Sequence, residues 1–181
     1  MIITISGTPG SGKSTVAKAI AKELSLKHFS AGDFMREMAE SKGISLMELS
    51  KQAEKDTSID REIDERTKHL ALKDNFVMDS RLAFYFIPKS IKVFVKVDPV
   101  VAAKRTWKDI VALKRHTEKQ FKSEEEVLVA VKKRLESECR RYEQYYGINY
   151  LDEKNYDFVI DTSNLTQEQA IQAVLDFVKK K

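Results

Sequence analysis

The sequence predicts an α/β fold, a five-stranded parallel sheet with helices on both faces. Three observations point to it. Short apolar runs recur at 1–6, 27–30, 75–79, 91–97 and 156–161. Long segments between them carry apolar residues at helical spacing. Strands alternating with helices pair in parallel, because each return across the sheet needs a crossover.

Each element has its own signal. MIITIS, 1–6, reads as a strand. Residues 14–24 place Val16, Ala17, Ile20, Ala21 and Leu24 on one helix face. KHFS, 27–30, is a second strand, and AGD follows at a helix start. Residues 33–72 read as helical pieces, with breaks near Gly43-Ile44-Ser45 and Asp56-Thr57-Ser58. NFVMD, 75–79, is the third strand. IKVFVKV, 91–97, is the fourth and ends at Asp98-Pro99. Residues 100–144 are helical and highly charged, with an interruption around 117–123. YDFVID, 156–161, is the fifth strand. An amphipathic helix closes the chain over 166–180, capped by Thr166 with Glu168 and Gln169 in its first turn.

Two helical intervals, 33–72 and 105–145, are too long for simple crossovers. Each follows a strand, on the side where ligands bind in such sheets. They read as two mobile covers over one crevice. The expected division is a core of 1–32, 73–105 and 145–181, an insertion over 33–72, and a lid over 106–122 followed by a helix to 144.

With 181 residues, 42% hydrophobic and 33% charged, the chain suits one soluble domain with appendages. A net charge of +4 suits phosphate-rich ligands and is too mild to argue for nucleic acid. The single cysteine, Cys139, excludes an internal disulfide and fits a reducing compartment. No apolar run approaches the roughly 18 residues of a membrane span, and MIITISG lacks the basic start of a signal peptide. The expected location is the cytoplasm. Nothing reads as a dimer seam, so a monomer is expected.

The chemistry begins at GTPGSGKST. Gly7, Gly12, Lys13 and Ser14 match G-x-x-x-x-G-K-[ST], after a strand and at a helix start, the context that this phosphate loop (P-loop) requires. Gly7, Thr8, Pro9, Gly10, Ser11, Gly12, Lys13, Ser14 and Thr15 are therefore expected to bind ATP. Backbone N–H groups and the helix N-terminus cradle phosphate, Lys13 reaches the β- and γ-phosphates, and the Ser14 hydroxyl ligates Mg²⁺. The fold class becomes a P-loop NTPase. The loop does not reveal the phosphoryl acceptor.

HFSAGDFMR, 28–36, brings Ser30, Gly32 and Asp33 beside the loop, with Arg36 one turn on. The same residues also read as an ordinary capped helix with a solvated arginine. Strand NFVMD then ends at Asp79, with Arg81 just after. A carboxylate there suits Mg²⁺ or its waters. Arg36 and Arg81 together would clamp a second phosphate. Arg134 and Arg141 are seven apart, on one helix face that can meet a polyphosphate, although such charged helices are commonly just solvated. His28 reads as a strand residue, His69 and His116 as surface helix residues, and Cys139 as packing.

The set GTPGSGKST, SAGDFMR, MDSRLA, RLESECRRYEQYYGI and YDFVIDTS resembles the nucleoside monophosphate kinases of the adenylate kinase type, and more closely the archaeal-type cytidylate kinases. That resemblance implies phosphoryl transfer from ATP, with Mg²⁺, to CMP or dCMP. It implies that 33–72 binds the monophosphate, that Arg36 and Arg81 hold its phosphate, and that Arg105, Arg134 and Arg141 approach the transferring group beside Lys13. Ser80 stands where many relatives have glycine, and Lys108 and Asp109 stand near the place of a second lid arginine, a role that Lys108 or Arg115 would take. Asp60 and Asp64, one turn apart, are candidates for the base, and they equally read as a solvated face. An adenylate or broad monophosphate kinase, and an ATPase switch binding RNA or an assembly partner, remain the alternatives.

Overall fold

In the computed structural model, which describes residues 1–44, 46–53, 55–112 and 121–181, β1 (Ile2–Gly7) forms the middle of the sheet. It pairs in parallel with β3 (Phe76–Asp79) on one side and β4 (Ile91–Lys96) on the other. β2 (Lys27–Ser30) lies outside β3, and β5 (Phe158–Asp161) lies outside β4. The order β2-β3-β1-β4-β5 reverses direction at β1, so the crevice of the sheet opens where β1 and β3 end.

Side chains alternate between two covered faces. Ile3, Ile5, Val77, Val93 and Val95 pack against α1 (Lys13–Glu23) and α8 (Gln167–Val178). Phe76, Met78 and Phe94 point the other way, toward α5 (Ala83–Phe86), Ile87 and Tyr150. Covering both faces explains why the strands read as nearly unbroken apolar runs. The polar exceptions on β1 have partners. The Thr4 and Ser90 hydroxyls lie 2.8 Å apart, and the Ser6 hydroxyl donates to the Ser80 carbonyl at 3.0 Å.

The insertion after β2 folds as α2 (Ala31–Ser41), α3 (Leu46–Ala53) and α4 (Thr57–Leu70), with breaks where the sequence places them. Met38, Ala39, Leu49, Ala53 and Ile59 give it a small core of its own. α2 begins two residues ahead of the expected boundary, because Ser30 caps it by accepting from the Gly32 N–H at 3.1 Å. α6 (Pro99–Val111) is capped by Asp98, and α7 (Glu124–Tyr146) by Ser123. Residues 113–120, about half of the expected lid and most of the interruption at 117–123, lie outside the described residues, as do Arg115 and His116. Residues 106–111 belong to α6.

Some ends differ from the sequence reading. Asn75 stays out of β3 because it takes a left-handed φ of 61°. Tyr156 stays out of β5 because its N–H closes the 3₁₀ turn before it, donating to the Glu153 carbonyl at 3.1 Å. The short helix α5 was not expected, since four residues carry too little periodicity to read.

The phosphate loop sits tightly on its neighbours. A Cβ on Gly7 would lie 2.3 Å from the Val95 carbonyl oxygen. Gly10 takes a φ of +76°, and a Cβ there would meet the Ala102 methyl at 2.7 Å. Both glycines are thus required by space, before any ligand is considered. Gly7→Ala should destabilise the fold by roughly 1–3 kcal/mol, the cost of overpacking a filled site. A lower urea midpoint at unchanged slope would show this; an unchanged midpoint would mean that β4 moves aside freely.

Candidate active site

The loop from Gly7 to Thr15 is pinned from outside. The Thr8 N–H donates to the Val95 carbonyl at 3.1 Å, and its Oγ1 accepts from the Val97 N–H at 3.1 Å. Thr162, at the end of β5, donates to the Ser11 carbonyl at 3.1 Å. Pro9 and Ser11 are buried, while Gly12, Ser14 and Thr15 are exposed at the mouth. Gly12 caps α1 in the left-handed conformation, so the helix N-terminus faces the crevice.

Lys13 Nζ forms an ion pair with Asp79 Oδ1 and lies 3.5 Å from the Ser14 hydroxyl. Burial pushes the Lys13 pKa below its ordinary value, against the pull of Asp79. Asp79 is 1% exposed, and its Oδ2 is buried without a hydrogen-bond partner. A buried carboxylate oxygen left unpaired is costly, and a hydrated cation beside the Ser14 hydroxyl would satisfy it. Among the described residues no group of three or more His, Cys, Asp or Glu side chains stands ready to hold a metal. That suits Mg²⁺, which keeps waters and takes phosphate oxygens alongside one or two protein ligands.

Across the crevice, β2 and β3 are in register with Ser30 beside Asp79, so α2 starts next to this buried carboxylate. Arg36 pairs with Asp33 at the surface, and its guanidinium reaches over Gly32. Arg81 is held from below. Ser6 Oγ approaches the Arg81 carbonyl at 2.5 Å, which ties the turn after β3 to the central strand. The Arg81 side chain is only 14% exposed.

α7 supplies the opposite wall. Arg134, Glu138 and Arg141 share one face, four and three residues apart. Arg140 is exposed, and its neighbour Arg141 turns inward to Asp60 on α4, 3.4 Å away. One turn on, the Tyr146 hydroxyl donates to Asp64. The structure therefore joins Asp60 and Asp64 to the α7 wall and does not leave them as a solvated face. Burial raises both carboxyl pKa values, and Asp64 is pushed up to about 6.

Arg105 stands apart from Arg134 and Arg141. Its guanidinium donates to the Thr162 carbonyl at 2.6 Å and the Leu165 carbonyl at 3.2 Å. With Gly10, Thr15, Lys108, Thr162 and Gln167 it lines a cavity of about 410 Å³ behind the loop. Arg105 and Lys108 thus lie on the β5 and α8 side of the loop.

The profile of the Cytidylate kinase-like family matches residues 2–164. The chain belongs to this family. It is 38% identical over 187 aligned positions to the cytidylate kinase of Sulfurisphaera tokodaii, covering 100% of this chain and 98% of that protein. It is 37% identical to the cytidylate kinase of Methanocaldococcus jannaschii, covering 99% and 100%. Among solved structures, the shikimate kinase of Bacteroides thetaiotaomicron is similar with a TM-score of 0.69 at 16% identity, covering 99% of this chain and 98% of that one. That likeness supports the P-loop kinase fold. No helix among the described residues is long and apolar enough to cross a membrane.

Several residues around the crevice were not singled out from sequence. Glu138 looked like one more charge on a solvated helix, yet its side chain is 7% exposed. The available signal was Arg134 four residues earlier on the inward face. Ser6, Tyr146, Tyr150 and Thr162 act through hydrogen bonds across long sequence separations, which no local pattern announces. His28 and His69 lie in β2 and α4 as expected, and Cys139 packs among aromatic side chains.

The raised Asp64 pKa has a testable sign. The folded state holds this proton more tightly than the unfolded chain, whose reference is 3.8. Its favourable contribution is complete below that value and is lost as pH rises through about 6. Asp64→Asn removes the titration. The melting temperature of the natural protein relative to Asp64→Asn should therefore rise as pH falls from about 7 to 5. A difference independent of pH would contradict the buried carboxyl.

Proposed function

We propose that the protein transfers the γ-phosphoryl group of ATP to CMP or dCMP, giving ADP and CDP or dCDP. One observation carries the reading. A second cluster of arginines, with Arg36 and Arg81 on one wall and Arg134 and Arg141 on the other, stands across the crevice from a complete phosphate loop. A nucleotide switch needs no second phosphate site. The base preference rests on the cytidylate kinase relatives.

In this reading Gly7 to Thr15 bind the ATP phosphates, and the cavity behind the loop takes the nucleoside, with Arg105 and Lys108 at its edge. Lys13 passes from Asp79 to the β- and γ-phosphates. Ser14 and Asp79 hold Mg²⁺, which supplies charge neutralisation at the phosphates. Arg36 and Arg81, with Ser30, Gly32 and Asp33 at the start of α2, hold the acceptor phosphate. Arg134 and Arg141 stabilise charge on the transferring group. The acceptor oxygen is already ionised, so no side chain has to remove a proton. Asp60 and Asp64 lie at the insertion side and face the base. The separate core of α2–α4 supports closure of the insertion as a unit, which keeps water from the phosphoryl group. The protein acts in the cytoplasm as a monomer.

ADP formation from ATP and Mg²⁺ should be strong with CMP and dCMP and weak with UMP, AMP and GMP. Turnover led by AMP would replace the acceptor and keep the mechanism, while ATP hydrolysis without any acceptor would favour the switch. Arg81→Ala should raise the KM for CMP and lower kcat, reducing kcat/KM by about 10²-fold or more, as expected for a lost charge-assisted clamp. Its KM for ATP should stay unchanged; a fall confined to ATP binding would remove Arg81 from the acceptor side.

A further inference from the structure

We infer that Glu138 is a positioning residue, which sets the guanidinium groups of Arg81 and Arg134 for phosphate. The inference rests on the reading above that these two arginines meet phosphate.

Glu138 sits mid-way along a helix whose other acids face solvent, yet it is buried. Its Oε1 accepts from Arg134 Nε at 3.0 Å. Its Oε2 accepts from the Tyr150 hydroxyl at 3.3 Å and lies 2.5 Å from Arg81 Nε, off the axis of a hydrogen bond. Tyr150 is fully buried, packs edge-on against Phe94 and Tyr142, and its carbonyl accepts from the Tyr156 hydroxyl at 2.7 Å. The carboxylate is therefore fixed by a rigid aromatic layer and not by solvent.

The mode of contact is informative. A carboxylate that simply pairs with arginine often takes the two-point fork. Here one carboxylate is shared, and it meets both arginines at Nε, the nitrogen nearest the chain. The carboxylate therefore does not take up the terminal nitrogens, the pair that makes a fork on phosphate. Two guanidinium charges against one carboxylate also leave a net positive charge there. Without Glu138 the guanidinium groups would repel one another and separate. The link further ties an arginine of the core turn to an arginine of α7, so both walls share one reference point. Glu138 itself is a poor phosphate neighbour, since it is anionic and its oxygens already face three donors. It acts through the arginines.

The test is a kinetic cycle. Glu138→Gln keeps the shape and removes the charge. It should lower kcat and raise the KM for CMP, together by about 10²-fold in kcat/KM, the scale of a misplaced positioning group. The KM for ATP should stay unchanged. In an Arg81→Ala background the same substitution should cost far less, because most of its effect passes through Arg81. Fully multiplicative losses, or an equal loss in ATP binding, would overturn the inference. If Glu138→Gln fails to fold, Tyr150→Phe takes its place. A CMP-specific loss that shrinks on Arg81→Ala supports the role, and no such loss overturns it. If the natural protein prefers another monophosphate, the cycle is run with that acceptor, which separates the two readings. A natural protein that phosphorylates no monophosphate overturns both.

Discussion

Cations crowded around one crevice must be offset by carboxylates, and much of this architecture follows from that constraint. Lys13 faces Asp79, Arg36 faces Asp33, Arg141 faces Asp60, and Arg81 shares Glu138 with Arg134. A buried charge left alone is penalised by several kcal/mol. Each of these basic residues therefore arrives with a carboxylate, from its own helix for Arg36 and Arg134 and from another element for Lys13, Arg81 and Arg141. Those carboxylates join pieces distant in sequence: β3 to the phosphate loop, α4 to α7, and the turn after β3 to α7. The pairs that offset most of this charge are also what join the walls of the crevice.

The pairs differ in how readily phosphate can replace the carboxylate. Arg36 and Asp33 are largely exposed, so their pairing is weak and exchange is easy. Lys13 and Asp79 are buried, and desolvation of Lys13 favours a partner of higher charge. Glu138 is the contrasting case. Fixed by Tyr150, it has no route away and so keeps its arginines when phosphate arrives.

Close approach is the second constraint. The phosphate loop touches β4 at Gly7 and α6 at Gly10, with no room for a Cβ at either place. The donor cavity is thus walled by elements that themselves position the loop. The acceptor side is looser, since α2–α4 have their own core and meet α7 through polar pairs at Asp60 and Asp64. The loop side is thus tightly packed, while α2–α4 form a unit of their own.

The sequence by itself determined the local elements: the strands, the phosphate loop at 7–15, the breaks within the insertion, and the arginine spacing on α7. These depend on periodicity, glycine placement and capping, all confined to a few neighbouring residues. Only the tertiary structure decided which charges meet. Asp60 and Asp64 read equally as solvent-facing acids until α7 was seen against α4. Arg105, which the family resemblance sets near the transferring group, donates to the Thr162 and Leu165 carbonyls, contacts that no local pattern announces. Glu138 resembled its exposed neighbours until Arg81 and Tyr150 closed around it. The physical reason is the same in each case. A charge's role is set by what it faces and by how much water remains, and both are fixed by chain segments tens of residues away.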